Sequence, residues 1–183
     1  YFAYNEEGLL VERLKNIGVE TFVIEMKNPF DVKAAFELSR LCKKLGIDLI
    51  HTQFLRENYI AILSKIFNPR IKVIYTNHFV MANNRIQKFF NRLMTQFNSG
   101  IIAVCNVGRD MLISNGNKAS IIEVIFNGVD VAYWKEPVES TLRKELKIGG
   151  DEFVILCASR FAHDKGHKYL VDSIKLLKDM TNR

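Results

Sequence analysis

The sequence predicts an α/β fold: a Rossmann-like parallel sheet flanked by helices, followed by the first βα unit of a second Rossmann-like domain. Short runs rich in β-branched and aromatic residues alternate with longer stretches of helical period, the pattern of βαβ units. A single change of texture, Asn127 to Val138, separates a long first part from a short second one. The 183 residues, 48% apolar and 25% charged, have the composition of a folded globular chain.

The elements follow in order. A helical stretch from about Glu6 to Ile17 closes at Gly18, a left-handed cap, and leads into a strand at Thr21 to Glu25. Ala35, Leu38, Leu41, Cys42 and Leu45 recur at intervals of three and four, before strands at Asp48 to Thr52 and Lys72 to Thr76. A second stripe, Ile86, Phe89, Phe90, Leu93, Met94 and Phe97, precedes strands at Gly100 to Cys105 and Ile121 to Phe126. Both stripes are expected to face the core.

Asn127-Gly128 and then Pro137 supply turn chemistry between a buried strand and a short charged helix. The predicted organisation is therefore a first domain over 1–126, a linker over 127–138 and a second domain beginning at 139–183. That last part holds a strand, Phe153 to Ala158, and a helix whose Tyr169, Leu170, Ile174 and Leu177 are expected to pack. Its roughly 45 residues are near the size below which an independent core seldom holds, so the second domain reads as truncated. Tyr1 in place of Met, and the polar end Lys178 to Arg183, read as cut ends.

A formal charge of +6 favours anionic partners: nucleotide diphosphates, lipid headgroups or nucleic acid. Arg13, Lys15, Lys43, Lys44, Arg85, Lys88 and Arg92 read as solvated helix faces without the interleaved exposed aromatics of a single-strand platform, so nucleic acid is not the expected partner. Cys42, Cys105 and Cys157 lack CxxC spacing, which argues against a zinc site or disulfide framework and fits a reducing cytoplasm. No apolar run approaches the ~20 residues of a membrane span, so any membrane contact is expected to be peripheral. No GxSxG, P-loop or GxGxxG string occurs.

Two histidines end candidate strands: His51 in Ile50-His51-Thr52-Gln53 and His78 in Thr76-Asn77-His78. Ligands of open α/β sheets bind outside the carboxyl ends of strands, although each imidazole alone also reads as a loop or core group bonded to a carbonyl. Ser159-Arg160 and Lys165-Gly166-His167 bracket a loop between strand and helix. A guanidinium, an ammonium and a helix N-terminus there suit a diphosphate; the alternative is two solvated loop charges. Arg109 either lines a site or opens a surface helix, and Asn127-Gly128 by itself is a turn.

The order of these motifs resembles family 4 of the retaining glycosyltransferases, with the two-domain B-type fold, from about Ile47 to Leu177. The matching pieces are His51, Thr76-Asn77-His78, Ala103 to Leu112 with Gly116, Asn127-Gly128-Val129-Asp130, Ser159-Arg160 and Lys165-Gly166-His167. Phe126, Cys105 and Ser159 depart from the family's usual proline, serine and glycine. The resemblance implies that 1–126 is the acceptor-side domain, with the family's first strand and Gly-rich loop ahead of Tyr1. The glutamate pair that holds the donor would lie beyond Arg183, so the 183-residue chain alone is expected to be inactive.

It further implies transfer of a sugar from a nucleotide-diphosphate sugar to a glycan or lipid-linked acceptor with retention, in the cytoplasm at the inner membrane face. Arg160, Lys165 and Gly166 would bind the donor diphosphate. Arg160, Lys165 and His78 would serve catalysis, His51, His78, Arg109 and Asn127 would line the cleft, and neither cofactor nor metal is expected. The competing readings are a non-catalytic nucleotide or glycan binding module and a basic nucleic-acid-binding α/β domain.

Overall fold

The computed structural model describes residues 1–136 and 140–181. Pro137 and Val138 of the predicted linker lie outside the described residues, as do Glu139, Asn182 and Arg183. The chain divides into two compact units, Tyr1–Val129 and Asp130–Arg183, and each is described by itself.

The first unit alternates strands and helices: β1 (Phe2–Tyr4), α1 (Leu9–Asn16), β2 (Thr21–Val23), α2 (Val32–Leu45), β3 (Leu49–Thr52), α3 (Leu55–Ser64), β4 (Lys72–Asn77), α4 (Arg85–Met94), β5 (Gly100–Ala103), α5 (Asn106–Ser114) and β6 (Ile122–Val124). Every strand pairing is parallel, in the order β3-β4-β5-β6 and, separately, β1-β2. The predicted α/β class holds. β2, β3, β5 and β6 are shorter than their apolar runs, while β4 is one residue longer; Ile24, just beyond β2, donates to the Tyr4 carbonyl at 2.8 Å and is buried against Ala34, Ala35 and Ile60. β1 is absent from the sequence-predicted strands, since three residues at the chain start carry no preceding turn signal.

Local chemistry fixes the helix ends. Asp31 Oδ1 accepts from the Ala34 amide at 3.1 Å, and Gly46 takes φ 66 to close α2. Asn84 and Gln87 form a reciprocal capping box at the start of α4. By register Val73, Tyr75, Ile101, Ala103 and Ile122 share one face of the four-stranded sheet, and the core lies against it: Tyr75, Ile101, Ala103, Leu112 and Ile122 form one cluster, and Ala61, Ile62 and Val73 another. Each fully buried branched side chain contributes about 1.5–3 kcal/mol.

α4 departs from expectation. Most of its periodic apolar stripe does not face the core: Ile86, Phe89, Leu93 and, one turn on, Phe97 are exposed, at 69, 58, 48 and 54%, while Met94 packs against Ala61, Ile62 and Val73 as expected. Phe90 turns toward Phe30, with ring centroids 4.8 Å apart, and Phe89 meets the Phe90 ring edge-on at 5.7 Å. The inward face is polar instead, with Asn91 and Thr95 each 2% exposed. Asn91 accepts from the Tyr59 hydroxyl at 2.5 Å and donates to the Asn115 carbonyl at 3.0 Å, while Thr95 Oγ1 accepts from the Lys118 amide at 3.1 Å. Burial pushes the Tyr59 phenol up to about 12, so it remains a donor. Unpaired buried amides cost about 1–3 kcal/mol each, and these bonds hold α4 in the orientation that satisfies them. The expectation that no exposed aromatic stands among Arg85, Lys88 and Arg92 is corrected at the same place.

The second unit contains α6 (Val131–Lys135), α7 (Leu142–Glu145) and α8 (His167–Thr181). The predicted strand Phe153 to Ala158 is not one. Among the described residues of this unit no second strand offers it a ladder, and Phe153 and Leu156 stay 89% and 73% exposed. For the same reason the α8 stripe does not form a core: Tyr169 is 72% exposed and Ile174 42%.

Gly116 joins the two sides of the α4 contact. It adopts φ 95, and a Cβ there would lie 2.7 Å from the Lys88 carbonyl oxygen. Gly116→Ala is expected to destabilise the protein by about 1–3 kcal/mol, read as a lower midpoint in urea; an unchanged midpoint would show that α4 yields freely.

Candidate functional site

The polar groups of the first unit meet at the carboxyl ends of β3 and β4. In the parallel register His51 pairs with Ile74. Thr76, two residues further along β4, therefore lies on the same face as His51. The His51 Nε2 and Thr76 Oγ1 atoms are 2.7 Å apart, with Thr76 itself buried.

Gln53, one residue past β3, extends the chain of bonds. Its amide nitrogen is 3.4 Å from His51 Nε2, and its carbonyl oxygen is 2.8 Å from His78 Nε2. With the amide in this orientation, His78 Nε2–H donates to the Gln53 carbonyl oxygen, and His51 Nε2 faces both the Thr76 hydroxyl and the Gln53 amide, its role set by the ring's tautomer. Phe54 flanks His78, with ring centroids 6.4 Å apart.

Asn77 supports the turn rather than joining the network. It is buried, accepts from the Tyr75 hydroxyl at 2.9 Å and donates to the Phe79 carbonyl at 2.7 Å, which sets where the backbone leaves β4 and where His78 projects. Burial raises the Tyr75 phenol above its ordinary range. The structure thus brings together the two predicted histidines and adds Gln53. Its only sequence signal was its place in the strand-end run, because a glutamine's partner is decided by register.

Arg109 and Asn127 do not enter this network. Arg109 stands in the first turns of α5 and pairs with its neighbour Asp110 at 3.5 Å, the surface-helix alternative. The α5 start is capped by Cys105, whose sulfur accepts from the Gly108 amide at 3.3 Å, so a thiol does the work of the family's usual serine. Asn127 is exposed in the segment after β6, and Asp130 N-caps α6 by accepting from Tyr133 N at 3.1 Å.

In the second unit Arg160, Lys165 and Gly166 are gathered before α8. Arg160 Nη2 lies 3.9 Å and Lys165 Nζ 3.3 Å from the same oxygen of Asp164. The hydrogen bond from Lys165 and the charges of both cations hold the Asp164 carboxyl below its ordinary range. Gly166 takes φ 69, which turns the chain into the 15-residue α8. His167 bonds Ser159 at 3.1 Å and lies beside the Phe161 ring at 5.1 Å. Two cations and one shared carboxylate thus stand together at the N-terminus of α8.

A parallel α/β unit with polar groups at the carboxyl end of its sheet places the chain among the Rossmann-like domains from which B-type glycosyltransferases are built. Residues 2–133 match the model of Glycosyltransferase Family 4, and the chain belongs to that family. It is 26% identical to the capsular polysaccharide biosynthesis glycosyltransferase CapH of Staphylococcus aureus, over 97% of this chain and 48% of CapH. It is 24% identical to the N-acetylgalactosamine-N,N'-diacetylbacillosaminyl-diphospho-undecaprenol 4-alpha-N-acetylgalactosaminyltransferase of Campylobacter jejuni, over 84% of this chain and 42% of that enzyme. The chain thus spans about half the length of the curated relatives it matches. Among solved structures it resembles Anabaena HepE in complex with UDP and glucose, with TM-score 0.79, 20% identity and coverage of 94% of this chain and 48% of HepE. It also resembles a glycosyltransferase from Rickettsia africae, with TM-score 0.75, 25% identity and coverage of 94% and 48%.

Gln53→Leu is expected to release His78 from the hydrogen bond that Nε2–H makes to the Gln53 carbonyl oxygen. Imidazole 15N spectra should then show His78 as a mixture exchanging between Nδ1–H and Nε2–H forms, and an unaltered His78 pattern would remove Gln53 from the site.

Proposed function

We propose that the protein is a retaining glycosyltransferase that moves a sugar from a nucleotide-diphosphate sugar to a glycan or lipid-linked acceptor. The observation that carries this reading is the loop in which Arg160 and Lys165 converge on one carboxylate at the head of α8. The names of its relatives support it: HepE was solved with UDP-glucose, and the Campylobacter enzyme is named for an acceptor carried on diphospho-undecaprenol.

In this reaction the bond between the anomeric carbon and the diphosphate oxygen breaks, and negative charge grows on that oxygen. Cations that meet the charge as it develops stabilise the transition state more than the bound substrate. Arg160 offers a planar pair of donors to phosphate oxygens, and Lys165 a compact charge; together they supply what a bound metal would otherwise supply. The acceptor hydroxyl attacks the same face that the diphosphate leaves, and its proton passes to the departing phosphate oxygen. His78, held by Gln53 with Nε2–H as donor, orients the acceptor or the sugar at the sheet end, with His51 and Thr76 behind it. Residues 1–126 serve the acceptor side, and the segment from 139 begins the donor side. The reaction takes place on the cytoplasmic side, at the membrane that carries the acceptor.

In the full-length protein, Arg160→Ala and Lys165→Ala should each lower transfer from radiolabelled nucleotide sugars by about a hundredfold or more, with circular dichroism unchanged. Wild-type rates in both would sink the assignment, and a product whose anomeric proton shows the configuration opposite to the donor's would exclude retention.

Asp164→Asn should act in the other direction. With the competing carboxylate gone, UDP should bind about threefold tighter by calorimetry, the modest effect expected of exposed ion pairs. Weaker binding would mean that Asp164 positions the cations rather than competing for them.

A further inference from the structure

Three aromatic rings stand together at the carboxyl ends of β3 and β4. The Phe54 ring meets both others, 6.4 Å from His78 and 5.9 Å from Phe79 between centroids. Phe54 and Phe79 nevertheless remain 47 and 53% exposed, at the edge where parallel α/β units bind their ligands.

Their exposure is held in place by buried bonds. Residues 78–83 form neither helix nor strand, yet two buried asparagines grip their backbone. Asn77 donates to the Phe79 carbonyl at 2.7 Å and accepts from the Phe79 amide at 3.4 Å. Asn115 donates to the Met81 carbonyl at 2.8 Å and accepts from the Asn83 amide at 2.8 Å. On the other side, Phe54 is the N-cap residue of α3, and its carbonyl accepts from the Asn58 amide at 3.0 Å. Backbone fixed in this way before a ligand arrives lowers the ordering cost of binding.

The neighbours of the two phenyl rings are hydrogen-bonding groups. His51, Gln53 and His78 are all exposed at the same edge, with imidazole and amide atoms that can meet hydroxyls. A ligand matching this surface has an apolar face and a polar rim. A pyranose has that form: C–H groups project from its faces and hydroxyls from its edge, so it lies flat on an aromatic ring while its rim bonds polar neighbours. A hydrocarbon chain has no rim, and it would desolvate the imidazole and amide groups without replacing their bonds to water.

We propose that Phe54 and Phe79 form a stacking ledge for a sugar ring of the acceptor. This role rests on the transferase reading above and narrows it. The attacking hydroxyl belongs to a sugar already in place, so the protein extends a glycan, and an earlier glycosyl transfer must supply that sugar.

The test is saturation-transfer NMR on the full-length protein without donor, with the methyl glycosides of glucose, galactose, N-acetylglucosamine and N-acetylgalactosamine as probes. Irradiation of the aromatic protons is expected to saturate the ring C–H protons of at least one glycoside. Phe54→Ala and Phe79→Ala should each weaken that binding by about threefold to tenfold, and Phe79→Tyr should retain it. Both alanine variants change exposed side chains and leave the backbone bonds of Asn77 and Asn115 in place, and calorimetry with UDP should give wild-type affinity in each. No glycoside bound by the wild type, or binding unaffected by both alanine variants, would overturn the ledge while UDP binding left the transferase reading standing. Loss of UDP binding in the alanine variants would give the ledge to the nucleotide base and overturn the proposal as well. Glycoside bound at Phe54 and Phe79 by a protein that neither binds UDP nor transfers sugar would sink the transferase reading, and with it the acceptor role.

Discussion

Parallel pairing is the constraint from which the rest follows. A strand that must run beside its predecessor in the same direction has to be returned across a face of the sheet by a helix. All carboxyl ends therefore gather at one edge, and the residues just past them become neighbours although they are distant in sequence. Here the β3–β4 register sets His51 diagonal to Thr76 and lets Gln53 reach His78, 25 residues away. The site of the first unit is thus a consequence of topology, refined by one glutamine and by the buried Asn77 that aims the turn.

The second cluster depends on a different physical device. Arg160 and Lys165 come together through a short loop and a glycine with positive φ, and one carboxylate, Asp164, pairs with both. A site of that kind is adaptable: the side chains are exposed, and their charges can be redirected at little cost. In the first unit, by contrast, the two histidines are linked through the Gln53 amide.

Much of the first unit was legible in the sequence because strand and helix periods are local. The apolar runs at Lys72 to Thr76 and Gly100 to Cys105 became paired strands, and Gly18 and Gly46 took the positive φ that helix ends ask for. Periodicity, however, reports which face of a helix is apolar and not what that face meets. In α4 the decisive residues were Asn91 and Thr95, whose partners come from α3 and from the segment after α5. Phe153 to Ala158 has the composition of a buried strand, but composition cannot supply a neighbouring strand. His51, His78, Arg160 and Lys165 could be found from residue type and place, whereas Gln53 needed the register.

The central claim is that the cations before α8 receive the diphosphate of a nucleotide sugar. The most direct measurement is a crystal structure of the full-length protein with UDP. The account predicts phosphate oxygens within hydrogen-bond distance of Arg160 and Lys165, with Asp164 displaced from both. A diphosphate bound elsewhere, with the Arg160–Asp164–Lys165 contacts intact, would contradict it.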